Sequence, residues 1–207
     1  MSFEFCNVYL KRLGHVWLCV GAMADGTIRF TAFSNRSREE ALNSGVKTLK
    51  PWEKPVKAER APSRVEKVFR LMGEAYMGRK VKRLPPLAWS RLKPFTRKVL
   101  GLTLQIPRGY VTGYGAVAEV LGFPRAARAV GLALALNPFP LLIPCHRVIR
   151  GDLTLGGYSI GLEVKAEILR REGVAFEKAE GALKVKPECY LSCEKLREKV
   201  KGDFKVF

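Results

Sequence analysis

The pattern of apolar residues changes near residue 78, and this change constrains the fold more than any other feature of the sequence. Before it, short apolar runs at residues 16–20 and 27–30 flank a turn at residues 24–26, as β-strands do. From residue 92 onward the pattern is helical, with short connections that contain Gly or Pro. The sequence therefore predicts an α/β N-terminal domain followed by a mostly α C-terminal domain.

Local signals place the boundaries. Ser37 with Glu40 three residues later predicts a helix start of the capping-box type, and Ser63 opens a second helix. The apolar stripe of that second helix is Val65, Val68, Phe69 and Met72. We predict a small α/β domain over residues 1–78, a basic linker over 79–91, a second domain over 92–177 and a C-terminal extension over 178–207.

The distribution of charge indicates a polyanionic partner. The formal net charge is +18. Between Glu74 and Asp152 the sequence has thirteen Lys and Arg residues and a single acidic residue, Glu119. A solvated face would mix both signs, so nucleic acid is the leading candidate, with a generally basic proteome as the alternative. A membrane surface fits less well, because the basic residues do not line one amphipathic helix.

The sequence also indicates the cellular compartment. The N-terminus has no secretory signal pattern, and the longest apolar stretch, residues 130–143, is broken by prolines and too short to span a bilayer. We expect a cytoplasmic location, nucleoid-associated if the source is prokaryotic. Five cysteines are an odd number, so at least one is unpaired, and only Cys189 and Cys193 are spaced for a local pair. One glutamine and four asparagines against many charged residues indicate heat adaptation.

Two short helical patterns, at residues 114–121 and 125–136, flank Gly122, Phe123 and Pro124. This spacing predicts a helix-turn-helix. The second helix is slim, with small residues at Ala126, Ala127, Ala129, Gly131, Ala133 and Ala135. A slim helix can approach the floor of a groove but reads few base edges, although alanines also simply favour helix.

A cysteine, a histidine and an arginine stand together at Cys145, His146 and Arg147, inside apolar sequence. A thiol reacts as its thiolate, which a neighbouring base or cation favours, so the run supplies a candidate nucleophile, a base and a fixed charge. The alternative is that Cys145 is a small apolar residue that ends a core strand.

The C-terminal half resembles the DNA-binding and active-site domain of the O6-alkylguanine-DNA alkyltransferase family, the methylated-DNA–protein-cysteine methyltransferases. Ordered pieces with short gaps carry the resemblance: Val111-Thr112-Gly113-Tyr114, residues 125–131, Asn137-Pro138, residues 143–148, Gly157-Tyr158-Ser159, Gly161-Leu162 and Lys165. The first eighty residues are similar only in layout. The resemblance implies a ribonuclease-H-like first domain and a winged helix-turn-helix-like second domain.

The resemblance also implies the chemistry. Cys145 would attack the alkyl carbon on O6 of guanine and keep the group as a thioether, so that each protein acts once. His146 would take the thiol proton through a water, and Glu172 would orient the imidazolium. No cofactor is implied.

The resemblance assigns the base pocket as well. Tyr114 would face the N3 edge of the base, Tyr158 would line the pocket, and the Ser159 backbone would stabilise the departing oxygen. The carbonyls of Cys145 and Val148 would accept from the exocyclic amine, and Pro140 belongs to the same substrate-binding set.

The resemblance places the slim helix in the minor groove of duplex DNA, with the damaged nucleotide rotated out. Arg128 would fill the gap left in the base stack, and Asn137 would act as a hinge between this helix and the active-site loop. The remaining DNA-binding residues would be Arg125, Ala126, Ala127, Ala129 and Gly131.

Some features depart from the family pattern. Ile160 stands where many relatives have glycine, the loop at residues 150–155 is idiosyncratic, and the tail has no recognised counterpart. Alkyl-group size and activity on O4-alkylthymine therefore stay open. A zinc site at Cys6, His15 and Cys19 would lack a fourth ligand, so we expect no metal.

Two other functions are compatible with parts of the sequence. A non-catalytic protein that flags alkyl lesions would use the same fold, but that class lacks the cysteine. A cysteine hydrolase would not need the basic half. The expected partner is duplex DNA with alkylated bases, without membrane association, and we expect a monomer.

Overall fold

The computed structural model of the chain describes residues 3–81, 83–179 and 181–200. It divides into two compact units. The first contains the described parts of residues 1–76, 81–91 and 138–142, and the second those of residues 77–80, 92–137 and 143–207. The predicted domains also include residues that lie outside the described ones: Met1, Ser2, Lys82, Glu180 and residues 201–207.

The first unit is built on a four-stranded sheet. Strands β1 (Glu4–Leu13), β2 (Val16–Ala22) and β3 (Ile28–Ser34) are antiparallel, and β4 (Glu53–Lys57) pairs parallel with β1, which gives the order β3-β2-β1-β4. The predicted runs at residues 16–20 and 27–30 correspond to β2 and β3. Strand β4 was not predicted, because it is an exposed edge strand that contains Pro55 and has no alternation of apolar residues.

Two helices accompany this sheet: α1 (Arg38–Val46) and α2 (Ser63–Tyr76). Ser37 caps α1 as predicted, since its hydroxyl accepts from the Glu40 N–H at 3.0 Å. The Glu40 carboxylate instead accepts from the Ser34 hydroxyl at 2.7 Å, so only half of the capping box forms. All four residues of the predicted α2 stripe are buried.

The core of the first unit depends on a close approach around Phe30. A Cβ on Gly21 would lie 2.3 Å from the Phe30 ring, and one on Gly45 would lie 2.2 Å from it. The ring is therefore enclosed between β2 and α1 at positions where only glycine leaves room.

Half of the predicted linker is packed rather than free. Leu87 pairs with Ile28 at the edge of β3, and the Ile28 N–H donates to the Pro86 carbonyl at 2.8 Å. Residues 138–142 also belong to this unit, because the Thr31 N–H and hydroxyl donate to the Pro138 and Pro140 carbonyls at 2.8 and 2.9 Å. Leu87, Ala88 and Trp89 are buried.

The second unit alternates helices with short strands. Its elements are α3 (Pro94–Gln105), β5 (Val111–Gly113), α4 (Tyr114–Val120), α5 (Ala127–Ala135), β6 (Val148–Ile149), α6 (Leu162–Arg171), β7 (Phe176–Ala179), β8 (Ala182–Val185), β9 (Tyr190–Leu191) and α7 (Cys193–Lys199). Strands β6, β5 and β9 form a parallel sheet in that order, and β7 and β8 form a hairpin. A 3-10 turn, Cys145–Arg147, leads into β6.

The helix-turn-helix pattern is present as α4 and α5, with one correction. Helix α5 was predicted from Arg125 but begins at Ala127, because Arg125 has a φ of 71°. Arg125 and Ala126 therefore lie in the turn.

Within the described stretches, no helix combines the length and apolarity needed to cross a bilayer.

The first unit buries one ion pair. Arg29 donates to Glu53 through Nε at 2.5 Å and Nη2 at 2.8 Å, and both side chains are almost fully buried. Lys50 N–H donates to the same carboxylate at 2.6 Å. Burial raises the pKa of Glu53, but these hydrogen bonds and the Arg29 charge lower it overall.

We predict that Glu53→Gln lowers the free energy of unfolding by about 3–5 kcal/mol, because it leaves the Arg29 charge buried without its partner. Urea unfolding at pH 7 measures this. The matched control is Glu66→Gln, whose pair with Lys11 is exposed on both sides, so a change of about 0–1 kcal/mol is expected. Equal losses in the two variants would contradict the prediction.

Candidate active site and nucleic-acid interface

Cys145 opens a 3-10 turn that ends a buried apolar run. Leu142 and Ile143 are buried, and the Cys145 N–H donates to the Ile143 carbonyl at 2.8 Å. Cys145 as a whole residue is partly exposed, whereas the next residue, His146, is 1% exposed. Cys145 therefore lies at the edge of the buried core rather than inside it.

Behind the thiol lies a buried charge cluster on three side chains. His146 Nε2 is 3.1 Å from Oε1 of Glu172, the residue that caps the C-terminus of α6. Arg147 donates to the same carboxylate through Nε at 2.8 Å and Nη2 at 2.7 Å, and through Nη1 to the Ile106 carbonyl at 2.7 Å. Arg147 was considered as a cation for the thiol; in the structure it binds Glu172.

The cluster sets the protonation of its members. Burial raises the pKa of Glu172, but hydrogen bonds from Arg147 and His146 lower it to about 2, so this carboxylate is ionised. Burial lowers the pKa of His146 and outweighs Glu172, which raises it. Since a carboxylate only accepts, the neutral imidazole carries its proton on Nε2 and its lone pair on Nδ1. Nδ1 is buried and has no hydrogen-bond partner among the described residues.

The cation that acts on the thiol is Lys165, which is 1% exposed. Its amine donates to the Val148 and Leu155 carbonyls at 2.7 and 2.6 Å. Burial lowers the pKa of Lys165 to about 8. Burial raises the pKa of Cys145, while a hydrogen bond from Asn137 and the Lys165 charge lower it. Sequence reasoning counted Lys165 only as part of a motif; the signal was a lysine among the apolar positions of α6.

Tyr114 is the first residue of α4 and lies close to this cluster. Burial raises the pKa of Tyr114, Cys145 raises it further, and the Arg150 charge opposes them. A Cβ on Gly156 would lie 3.1 Å from the Tyr114 hydroxyl, so the chain passes directly over that oxygen. A Cβ on Gly131 would lie 3.9 Å from the Tyr114 ring, so Gly131 is adjacent to that ring.

The other predicted pocket residues are distributed as follows. The Tyr158 ring centroid is 6.0 Å from Lys165 Nζ, and the Val148 carbonyl that accepts from Lys165 keeps a second lone pair. Ser159 is exposed. Asn137 Nδ2 donates to the Ile143 carbonyl at 3.2 Å. Pro140 belongs to the first unit, where its carbonyl accepts from Thr31.

Helix α5 presents a face that is broader than the sequence indicated. Arg128 and Ala129 are exposed as expected, but Leu132 and Leu136 are each 62% exposed. Arg128, Leu132 and Leu136 are four residues apart and so lie along one side of the helix. Ala133, counted among the slim surface residues, is buried. The four-residue spacing was visible in the sequence.

The candidate zinc ligands have other contacts. Cys6 and Cys19 are buried, and burial raises the pKa of each to about 12. His15 Nε2 lies 3.1 Å from the Tyr76 hydroxyl. No group of three or more metal-binding side chains occurs in the parts of the chain that the structure covers. Cys189 and Cys193 are both free thiols.

Fold and site together define a class: a helix-turn-helix domain that holds a cysteine beside a buried histidine and carboxylate. The family model described as the DNA-binding domain of 6-O-methylguanine DNA methyltransferase matches residues 94–174. A methylated-DNA–protein-cysteine methyltransferase of Pyrobaculum aerophilum is 54% identical over 34% of this chain. That alignment covers 46% of the relative, and the chain spans about half the length of the first relatives it matches.

Two longer matches extend through most of the chain. The enzyme of the same name from Thermococcus gammatolerans is 34% identical over 77% of this chain and 90% of its own length. The crystal structure of O6-methylguanine-DNA methyltransferase from Pyrococcus kodakaraensis matches with a TM-score of 0.60 and 32% identity, over 82% of this chain and 99% of that one. The chain belongs to the methylated-DNA–protein-cysteine methyltransferase family.

The buried cluster predicts how stability depends on pH. The pKa of Glu172 is about 2 in the folded chain against an ordinary 4.5, so the unfolded chain binds that proton more readily. Its contribution of about 3 kcal/mol is fully present above pH 4.5 and is lost as the pH falls towards 2. The lowered pKa of His146 acts in the same direction below its ordinary 6.5.

We therefore expect Glu172→Gln to be less stable than wild type at pH 7 and the gap to narrow between pH 4.5 and 2. Denaturant titrations at several pH values measure the gap. Glu163→Gln, an exposed carboxylate in the first turn of α6, is the matched control and should change little. A gap that stays constant down to pH 2 would refute the assignment.

Proposed function

We propose that the protein repairs duplex DNA by moving the alkyl group of O6-alkylguanine irreversibly onto Sγ of Cys145. The observation that carries this proposal is a cysteine at the edge of the core, directly followed by a buried, neutral histidine whose Nε2 is held by the Glu172 carboxylate. The relatives named as methylated-DNA–protein-cysteine methyltransferases support the reaction class.

The proposed step begins with deprotonation of the thiol. Burial raises the pKa of Cys145, so the thiol needs a base at neutral pH. His146 Nδ1 supplies its lone pair and takes the proton through a water, and Glu172 stabilises the imidazolium that forms. Lys165 and Asn137 stabilise the negative charge that builds on sulfur.

The sulfur then displaces the base from the alkyl carbon. The S–C bond forms as the C–O6 bond breaks, and the electron pair of that bond stays on guanine as an anion. The Tyr114 hydroxyl donates a hydrogen bond to N3, and the backbone at Ser159 donates one to the departing oxygen, so both stabilise this anion. The Cys145 and Val148 carbonyls accept from the exocyclic amine, with Tyr158 as a pocket wall. A thioether does not hydrolyse readily, so each chain would act once.

Duplex DNA is the proposed partner. Helix α5 would enter the minor groove with Ala126, Ala127, Ala129 and Gly131 near the backbone, and Arg125 would bind phosphate. A base inside the stack cannot reach the thiol, so the nucleotide must rotate out at a cost of a few kcal/mol. Arg128 would occupy the space it leaves. Asn137 would join this helix to the thiol turn as a hinge.

The proposal also assigns a fold or a role to each predicted domain. The sheet order β3-β2-β1-β4, with β4 parallel to its neighbour, supports a ribonuclease-H-like first domain within residues 1–78. Residues 92–177 would bind DNA and react, joined by 79–91 and followed by the extension at 178–207. We infer a cytoplasmic monomer without a cofactor. The competing function, a non-catalytic protein that flags lesions, does not explain the His146–Glu172 pair behind a thiol.

Incubation with a duplex that contains O6-methylguanine tests the reaction. We expect wild type to gain one methyl group per chain, on the Cys145 peptide, and Cys145→Ala to gain none while it still binds the duplex. Intact-mass and peptide-mapping analysis measures both. The four other cysteines are buried, and their peptides serve as internal controls. An unmodified wild-type protein that binds the lesion would favour the flagging function.

Arg128→Ala tests the intercalation role. We expect it to slow methyl transfer from duplex DNA about 10- to 100-fold, since flipping loses its support, and to leave the reaction with free O6-methylguanine nearly unchanged. Single-turnover kinetics on both substrates measure the contrast. Arg125→Ala, in the adjacent turn, is the control and should mainly weaken binding in a salt-dependent way. Equal losses on both substrates would argue against intercalation.

A further inference from the structure

The C-terminal tail, defined here as residues 182–199, forms part of the second unit rather than an appendage. Strand β9 extends the parallel sheet, with Val111 opposite Tyr190 and Thr112 opposite Leu191. The buried Thr112 hydroxyl donates to the Leu191 carbonyl at 2.8 Å. Val185, Leu191 and Leu196 are buried. The tail is therefore bound along β5, the strand that leads directly into Tyr114.

Tyr190 makes the contact nearest to Tyr114. A Cβ on Gly113 would lie only 2.5 Å from the Tyr190 hydroxyl oxygen, so that oxygen rests on the Gly113 backbone. Burial raises the pKa of Tyr190, and the adjacent backbone of Gly113 opposes this. Gly113 caps the N-terminus of α4, and Tyr114 is the next residue. The hydroxyl of Tyr190 thus holds the peptide from which Tyr114 projects.

Helix α7 holds the other end of α4. Burial raises the pKa of the Cys193 thiol, and the neighbouring Glu119 carboxylate raises it further. Glu119 is the single acidic residue between Glu74 and Asp152. The tail therefore contacts α4 at both ends, near Tyr114 and near the turn to α5.

The tail also supports the loop on the opposite side of Tyr114. The Val185 N–H donates to the Leu153 carbonyl at 2.9 Å. Thr154 and Lys184 form an isolated antiparallel β-bridge. Leu153 has a φ of 68°, a strained conformation for leucine that persists only where neighbouring contacts enforce it. Three residues later Gly156 passes over the Tyr114 hydroxyl. Both the base and the tip of Tyr114 are thus placed by segments bound to the tail.

We propose that the tail is a brace that fixes the Tyr114 hydroxyl in the base pocket, and that Tyr190 is its positioning residue. The inference rests on the proposed function of Tyr114 as hydrogen-bond donor to the departing base. Tyr190 does not touch the substrate; it acts through Gly113 and the backbone of Tyr114. A donor displaced by a fraction of an ångström loses much of its effect in a transition state.

Tyr190→Phe removes the hydroxyl and keeps the ring. We expect the rate constant of methyl transfer at saturating duplex to fall about 3- to 30-fold, with the duplex dissociation constant nearly unchanged. Single-turnover kinetics with O6-methylguanine duplex separate the two. Tyr110→Phe is the matched control, because Tyr110 lies just before β5 and is 36% exposed. It should react like wild type.

A double-mutant cycle distinguishes positioning from general loosening. If Tyr190 acts through the Tyr114 hydroxyl, Tyr190→Phe should slow wild type but have no further effect in a Tyr114→Phe background. A loss that is the same in both backgrounds, or a Tyr190→Phe rate equal to wild type, would overturn the proposal. Loss of one hydrogen bond should shift the melting temperature by only about 2–4 °C.

If Tyr190→Phe lowers the melting temperature by more than this, a second variant tests the proposal. Thr112→Val removes the hydroxyl that binds Leu191 and leaves Tyr190 intact, and it should show the same non-additivity with Tyr114→Phe. If the effects of Thr112→Val and Tyr114→Phe on the rate constant of methyl transfer were additive, the proposal would also be overturned. Failure of the proposed function looks different, since wild type itself would then gain no methyl group on Cys145.

Discussion

The arrangement of the site depends on one buried carboxylate. Glu172 accepts from both Arg147 and His146, and this double pairing keeps it ionised in a place where an isolated charge would be expelled. The same pairing connects the end of α6 to the turn that contains Cys145. It fixes the imidazole proton on Nε2 and so leaves the free lone pair on Nδ1, while burial keeps the ring neutral. Stability and reactivity therefore rest on the same three side chains, and a change in one affects both.

Much of the fold could be predicted from the sequence, because strong local signals agree with the tertiary structure. The start of α1 at Ser37, the buried stripe of α2 and the helix pair α4 and α5 follow from capping, periodicity and Gly-Pro punctuation. Strand β4 could not be predicted, since an exposed edge strand with a proline has no apolar alternation. The role of β9 depends on a long-range pairing with β5, which no local pattern encodes.

The candidate site was predictable in its residues but less so in its contacts. The family resemblance indicated Cys145, His146 and Glu172, and the structure brings these residues together. It did not indicate that Arg147 would bind Glu172, nor that Lys165 would be the buried cation near the thiol. Burial and partner choice arise from packing, so a charged residue in a motif does not reveal which charge it meets. The catalytic roles stay predictions.

The exposed leucines of α5 change what the proposed interface is made of. Leu132 and Leu136 lie beside Arg128 on the same face of the helix. From the net charge alone, the contacts of this face with DNA would be expected to be purely electrostatic. Covering the two leucines with the sugar edges of a groove removes apolar surface from water, which lowers the heat capacity on binding. The apolar contribution leaves the salt dependence of binding unchanged, because that dependence reflects the number of phosphate contacts, but it adds affinity that persists at high salt and comes from released water rather than released counterions.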